Sequence, residues 1–128
     1  MKIQESAENY LETILILSER STYVRSIDIA NELNFTKPSV SVAMKKLREN
    51  GYIAVDGEGN LTLLEPGREI AERIYSRHRL LTHFFVQLGV DEEVAAEDAC
   101  KAEHILSEQT LEKIREYALL HDAQDSVK

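Results

Sequence analysis

The sequence predicts a mainly α-helical fold: an N-terminal winged helix-turn-helix followed by an α-helical region. Three observations carry that prediction. Two short helical segments joined by a tight turn lie within residues 26–50. Two apolar runs around a glycine-rich turn follow at once. Helical periodicity then holds over most of the remaining chain. A length of 128 residues suits one domain, or a small domain with an appended half. We expect the winged helix-turn-helix over residues 1–70 and the helical region over residues 71–128.

The elements follow in order. "ESAENYLETILILSER" puts Ala7, Tyr10, Leu11, Ile14, Leu15 and Leu17 on one apolar stripe, and "STYV" ends that helix. Ser26 is expected to cap a short helix over Ile27–Leu33, and Asn34 and Phe35 turn the chain. Thr36 caps a second helix with Pro38 in its first turn, where a missing N–H costs nothing. Val40, Ala43, Met44 and Leu47 recur at helical spacing as a core face, and Gly51 stops the helix. "YIAVDGEGNLTLL" reads as a hairpin around residues 56–60. Glu65-Pro66-Gly67 opens a long helix through Leu88, about 35 Å at 1.5 Å per residue. Beyond the turn "GVDEE" we expect helices over about Glu92–Leu106 and Glu108–Leu119, with Ser107 as N-cap and "HDAQDSVK" as a frayed tail.

The net charge of −8 argues at first against nucleic acid, but the charge is segregated. Residues 89–128 hold eleven acidic against four basic residues, whereas residues 36–50 hold four basic against one acidic. That basic stripe is compatible with local DNA contact and weak non-specific binding. No apolar run reaches the roughly 20 residues of a membrane span, and acids interrupt the N-terminal apolar stretch as no signal peptide would allow. Cytoplasm is the expected location. One cysteine excludes an internal disulfide framework. No nucleophile motif or glycine-rich phosphate loop points to an enzyme, and no organic substrate is expected.

The second helix of the motif would enter the major groove N-terminal end first. Its face opposite the core stripe carries Thr36, Lys37, Pro38, Ser39, Ser41, Val42 and Lys45. Hydroxyls there suit phosphates or base edges, and Val42 suits a thymine methyl. Lys45, Lys46, Arg48 and Arg25 are placed for phosphates, which position the protein without specifying sequence. Winged helices also serve as protein-interaction modules, and the pattern alone leaves that role open.

Cys100, Glu103 and His104 fall within one helical turn and share one face if the helix is continuous. Three ligands from one turn do not close a coordination sphere. His78, on the Ile70/Ile74/Leu81/Phe85 stripe, and Glu12, on the first helix beside Asn9, can add to them. Plainer roles stand beside this one: a small buried cysteine, a hydrogen-bonded core histidine, a solvated glutamate.

"SAENYLETI", "SIDIANELN", "KPSVSVAMKKLRENGYI", "LTLLEPGREIAERI", "RHRLLTHFF", "LGVDEE" and "EDACKAEHILS" together resemble the diphtheria toxin repressor family of metal-dependent transcriptional regulators. That family includes the iron-dependent regulators and the manganese transport regulator. The resemblance implies a homodimer that binds palindromic operators of metal-uptake genes when loaded with Fe(II) or Mn(II). It also implies a metal between the DNA-binding and dimerisation regions, and a length without the SH3-like third domain of the iron type. By position it makes Glu12, His78, Glu103 and His104 ligands. It adds Cys100, where the iron type has cysteine and the manganese type glutamate. Asn9 departs from both types, and its ligation is left open. Thr82 and Ala96 stand where the iron type has ancillary ligands. A thiolate is softer than a carboxylate, so this hybrid set favours Fe(II) over Mn(II), with Zn(II), Co(II) or Ni(II) binding in vitro. The alternative is a metal-independent or thiol-redox-responsive winged-helix regulator.

Overall fold

The computed structural model describes residues 5–127, with side chains described for residues 5–122. The apolar stripe of the N-terminal segment becomes helix α1 (Glu5–Arg20), which buries Tyr10, Leu11, Ile14 and Leu15. The chain forms two compact units, Met1–Arg73 and Ile74–Lys128. They divide in sequence inside helix α4 (Glu65–Gln87).

In the first unit, α2 (Ser26–Leu33) packs on α3 (Lys37–Glu49), and α1 packs on α2. Helix α2 starts one residue earlier than expected. Arg25, not Ser26, is its N-cap, and the Asp28 carboxylate accepts the Arg25 N–H at 2.9 Å. That reach-back satisfies a donor at the helix start, so no serine hydroxyl is needed there. Asn34 closes α2 in the left-handed region at φ 59°, a conformation its short polar side chain tolerates. Thr36 caps α3 as expected: its Oγ1 accepts the Ser39 N–H and donates to the Ser39 hydroxyl. Val40, Met44 and Leu47 are buried, and Ala43 is half-buried.

Strands β1 (Ile53–Val55) and β2 (Leu61–Leu63) form the antiparallel wing, with Ile53 opposite Leu63 and Val55 opposite Leu61. The turn is locked by Asp56, whose Oδ1 accepts the N–H groups of Glu58 and Asn60, each at 2.9 Å. Asn60 Oδ1 in turn accepts the Val24 N–H at 2.9 Å, and the Leu61 N–H donates to the Val24 carbonyl at 2.7 Å. The wing root is thereby tied to the segment between α1 and α2.

The second unit contains the rest of α4, α5 (Glu92–Ala102) and α6 (Glu108–Val127). Its core is Leu81, Ala99 and Leu111, with Leu80, Phe85, Ala102, Leu106 and Ile114 packed around them. Two expectations fail here. Helix α5 ends at Ala102, not near Leu106, and the chain turns through residues 103–106. Helix α6 does not fray at Leu119 but continues to Val127, while Lys128 lies outside the described residues. Asp122 helps fix that extension by accepting hydrogen bonds from Gln87 and pairing with His83, both on α4. No helix among the described residues is long and apolar enough to cross a membrane.

Candidate metal centre and nucleic-acid interface

The capped start of α3 leaves its outer face clear. Thr36, Lys37, Pro38, Ser39, Ser41, Val42, Lys45 and Lys46 are all exposed, as is Arg25 before α2. Val42 is 56% exposed although it sits on a helix with a well-buried opposite face. An apolar side chain flanked by hydroxyls and lysines is suited to groove contact, since it can meet a base methyl where the lysines meet phosphates.

In the second unit, His78, Glu103 and His104 come together. Glu103 is fully buried, and its two carboxylate oxygens face different imidazoles. His78 Nδ1 lies 3.0 Å from Oε2, and His104 Nε2 lies 3.3 Å from Oε1. The His104 contact is close enough for an ion pair but is not aligned as a hydrogen bond. Oε1 therefore remains a buried acceptor without a hydrogen-bond partner among the described residues. A buried carboxylate oxygen in that state is costly, and a cation resolves the cost. Two imidazole nitrogens and a carboxylate are a donor set that suits Mn(II), Fe(II), Co(II), Ni(II) or Zn(II). These donor types suit a divalent metal, with Glu103 as the residue that both histidines face.

The turn after α5 makes this arrangement. Glu103 follows the last helical residue, and its N–H still reaches the Ala99 carbonyl at 2.9 Å. The Ile105 and Leu106 N–H groups then both donate to Ala102, which tightens the backbone around His104. The shared face expected from a continuous helix is thus replaced by a helix end plus a turn. Cys100, one turn back on α5, is exposed. Glu12 is buried on α1, and Asn9 is half-buried. Thr82 donates its hydroxyl to the His78 carbonyl at 2.8 Å, bracing the helix that carries His78. His83 points elsewhere and pairs with Asp122 at 2.9 Å.

Sequence reasoning missed Arg77. Its Nη1 donates to the Glu103 carbonyl at 3.2 Å, and its Nη2 pairs with the Glu108 carboxylate. The side chain is only 13% exposed. Nothing local marks this arginine, because its partners lie 26 and 31 residues away.

Both halves of the chain match known domain families. Residues 2–61 match the model described as iron dependent repressor, N-terminal DNA binding domain. Residues 64–120 match that described as iron dependent repressor, metal binding and dimerisation domain. An HTH-type transcriptional regulator of Methanocaldococcus jannaschii is 36% identical, over 88% of this chain and 92% of its own length. The regulator MntR of Bacillus subtilis is 33% identical, over 96% of this chain and 87% of its own. Among solved structures, a manganese-dependent transcriptional repressor in complex with manganese superposes with a TM-score of 0.81 at 28% identity, covering 88% of this chain. The manganese regulator SloR gives 0.76 at 28% identity, covering 91% of this chain. This chain spans 52% and 54% of those two solved chains, about half their length. The two matched models take in nearly the whole sequence, and the chain belongs to the iron-dependent repressor family of metal-responsive transcriptional regulators.

Proposed function

We propose that this protein is a cytoplasmic, non-enzymatic repressor that binds palindromic operator DNA as a homodimer when it holds a divalent metal, and so limits expression of metal-uptake genes. The observation that carries the proposal is the buried Glu103 carboxylate set between His78 and His104. His78, Glu103 and His104 are the proposed core ligands. Glu12 is proposed as a further ligand on the strength of the family resemblance and its buried carboxylate. Cys100 is proposed as the ligand that tunes metal choice. When bound, the cation would supply a charge partner for the buried Glu103 side chain. His78 and His104 would each offer the metal one ring nitrogen, in exchange for any proton held there.

Fe(II) is the proposed activator if the Cys100 thiolate joins the sphere; nitrogen and oxygen donors alone suit Mn(II) as well. The relatives named for manganese favour the second outcome. Anaerobic titration of Fe(II) and of Mn(II) against binding to the protein's own promoter DNA decides between them. Operator affinity should rise about 5–150-fold with the activating metal, the usual range of coupling between sites. Glu103→Ala and His104→Ala should each remove the rise, and equal binding with and without metal would overturn the proposal. The exposure of Cys100 supports a second reading, a thiol-redox-responsive regulator. Peroxide-sensitive DNA binding that disappears in Cys100→Ser would favour it.

A further inference from the structure

We propose that Arg77 is a positioning residue for the metal centre, holding the turn that carries Glu103 and His104 in the geometry that ligation needs. The inference rests on the metal-centre reading above. Helix α5 stops at Ala102 and α6 starts at Glu108, so both proposed ligands sit on the short connection between the two helices. Arg77 grips that connection at two points. One guanidinium nitrogen takes the Glu103 carbonyl, and the other takes the carboxylate of Glu108 at the start of α6. His78, the next residue on α4, takes the Glu103 side chain at 3.0 Å. Consecutive residues of one helix therefore hold Glu103 by its backbone and by its carboxylate.

The chemistry requires arginine. A planar guanidinium presents several donors in fixed directions and can serve a carbonyl and a carboxylate at once. Lysine has the charge but not the fork. The hydrogen bond also gives the Glu103 carbonyl, at the end of a helix, the donor that the ended helix does not provide. Outer partners of this kind orient ligands and strongly affect metal affinity.

The sign of the effect separates positioning from simple charge. Removing a positive side chain beside a cation site should strengthen cation binding by charge alone. Loss of positioning should weaken it. The test is Co(II) titration of the full-length protein, followed by visible ligand-field spectra, with hydrogen exchange of residues 103–107 in the metal-free state. Arg77→Ala and Arg77→Lys should each bind Co(II) about 10–100-fold more weakly, as outer-partner losses do. Both should show an altered spectrum and faster exchange in the turn. Unchanged or tighter Co(II) binding with the parent spectrum, in either variant, overturns the proposal. Should Arg77→Ala not fold, Arg77→Lys, which keeps the charge and most of the stem, decides alone. Glu103→Ala and His104→Ala are run beside them. If these also bind like the parent, the metal-centre reading has failed. If they lose binding while the Arg77 variants keep it, only the positioning role has failed.

Discussion

At residue 67 there is no room for a side chain. A Cβ there would lie 2.1 Å from the Tyr52 carbonyl oxygen and 3.4 Å from a Leu11 methyl. That carbonyl already accepts the Leu64 N–H at 3.0 Å, so it cannot give way without breaking the bond that joins the wing to α4. Alanine is the better helix former, but relief by propensity is smaller than the clash with backbone. Gly67→Ala should destabilise the protein by about 1–3 kcal/mol, the usual cost of overpacking, read from urea denaturation. Stability equal to or above the parent would show that the close approach is not kept in solution. The residues we propose as ligands stand out at this scale by type and spacing, since a glutamate and a histidine beside one another, with a distant histidine on an apolar stripe, are few-purpose chemistry. Their geometry does not. Glu103 and His104 lie beyond the end of α5, where Glu103 faces both His78 and His104, and no residue in "ACKAEHILS" is a glycine or proline that would announce it.

Individual elements were read best where local chemistry decides them. Thr36 with Pro38, Gly51 at φ 81° and the "DGEGN" turn each fix a boundary with their own backbone preferences. Boundaries set by distant partners were missed. Arg77 takes the carbonyl that would otherwise continue α5, and His83 with Gln87 extends α6 through Asp122. The wing turn offers a direct check. Backbone N–H groups of Asn60 and then Glu58 hold the Asp56 carboxyl below the ordinary 3.8, with Arg25 adding a smaller attraction. A depressed folded value means that the stabilisation is present above pH 3.8 and is lost as pH falls through the folded value. An NMR titration of Asp56 should therefore have its midpoint below 3.8. A midpoint at or above the ordinary value would mean that the turn is open in solution.

For the molecule as a whole, charge segregation matters more than net charge. The chain carries −8 overall, yet the exposed face of α3 presents Lys37, Lys45 and Lys46. Each phosphate neutralised by such a side chain adds about −0.9 to the slope of log affinity against log salt. Lys45→Ala should make that slope shallower by about one unit per subunit, with little change in sequence preference. Fluorescence anisotropy across a salt series measures it, and an unchanged slope would remove Lys45 from the phosphate contacts. The acidic C-terminal third should keep non-specific binding weak, so that the stripe on α3 works only where the groove also fits.

The position of Cys100 has a practical side. It is the sole cysteine of the chain, it is exposed, and it lies three residues before Glu103. The native protein thus has a unique attachment point for a maleimide fluorophore or a nitroxide label, with no background thiols to remove. Alkylation also blocks the sulfur as a donor. A single labelling reaction would therefore both mark the neighbourhood of the proposed centre and ask whether the thiolate takes part in it.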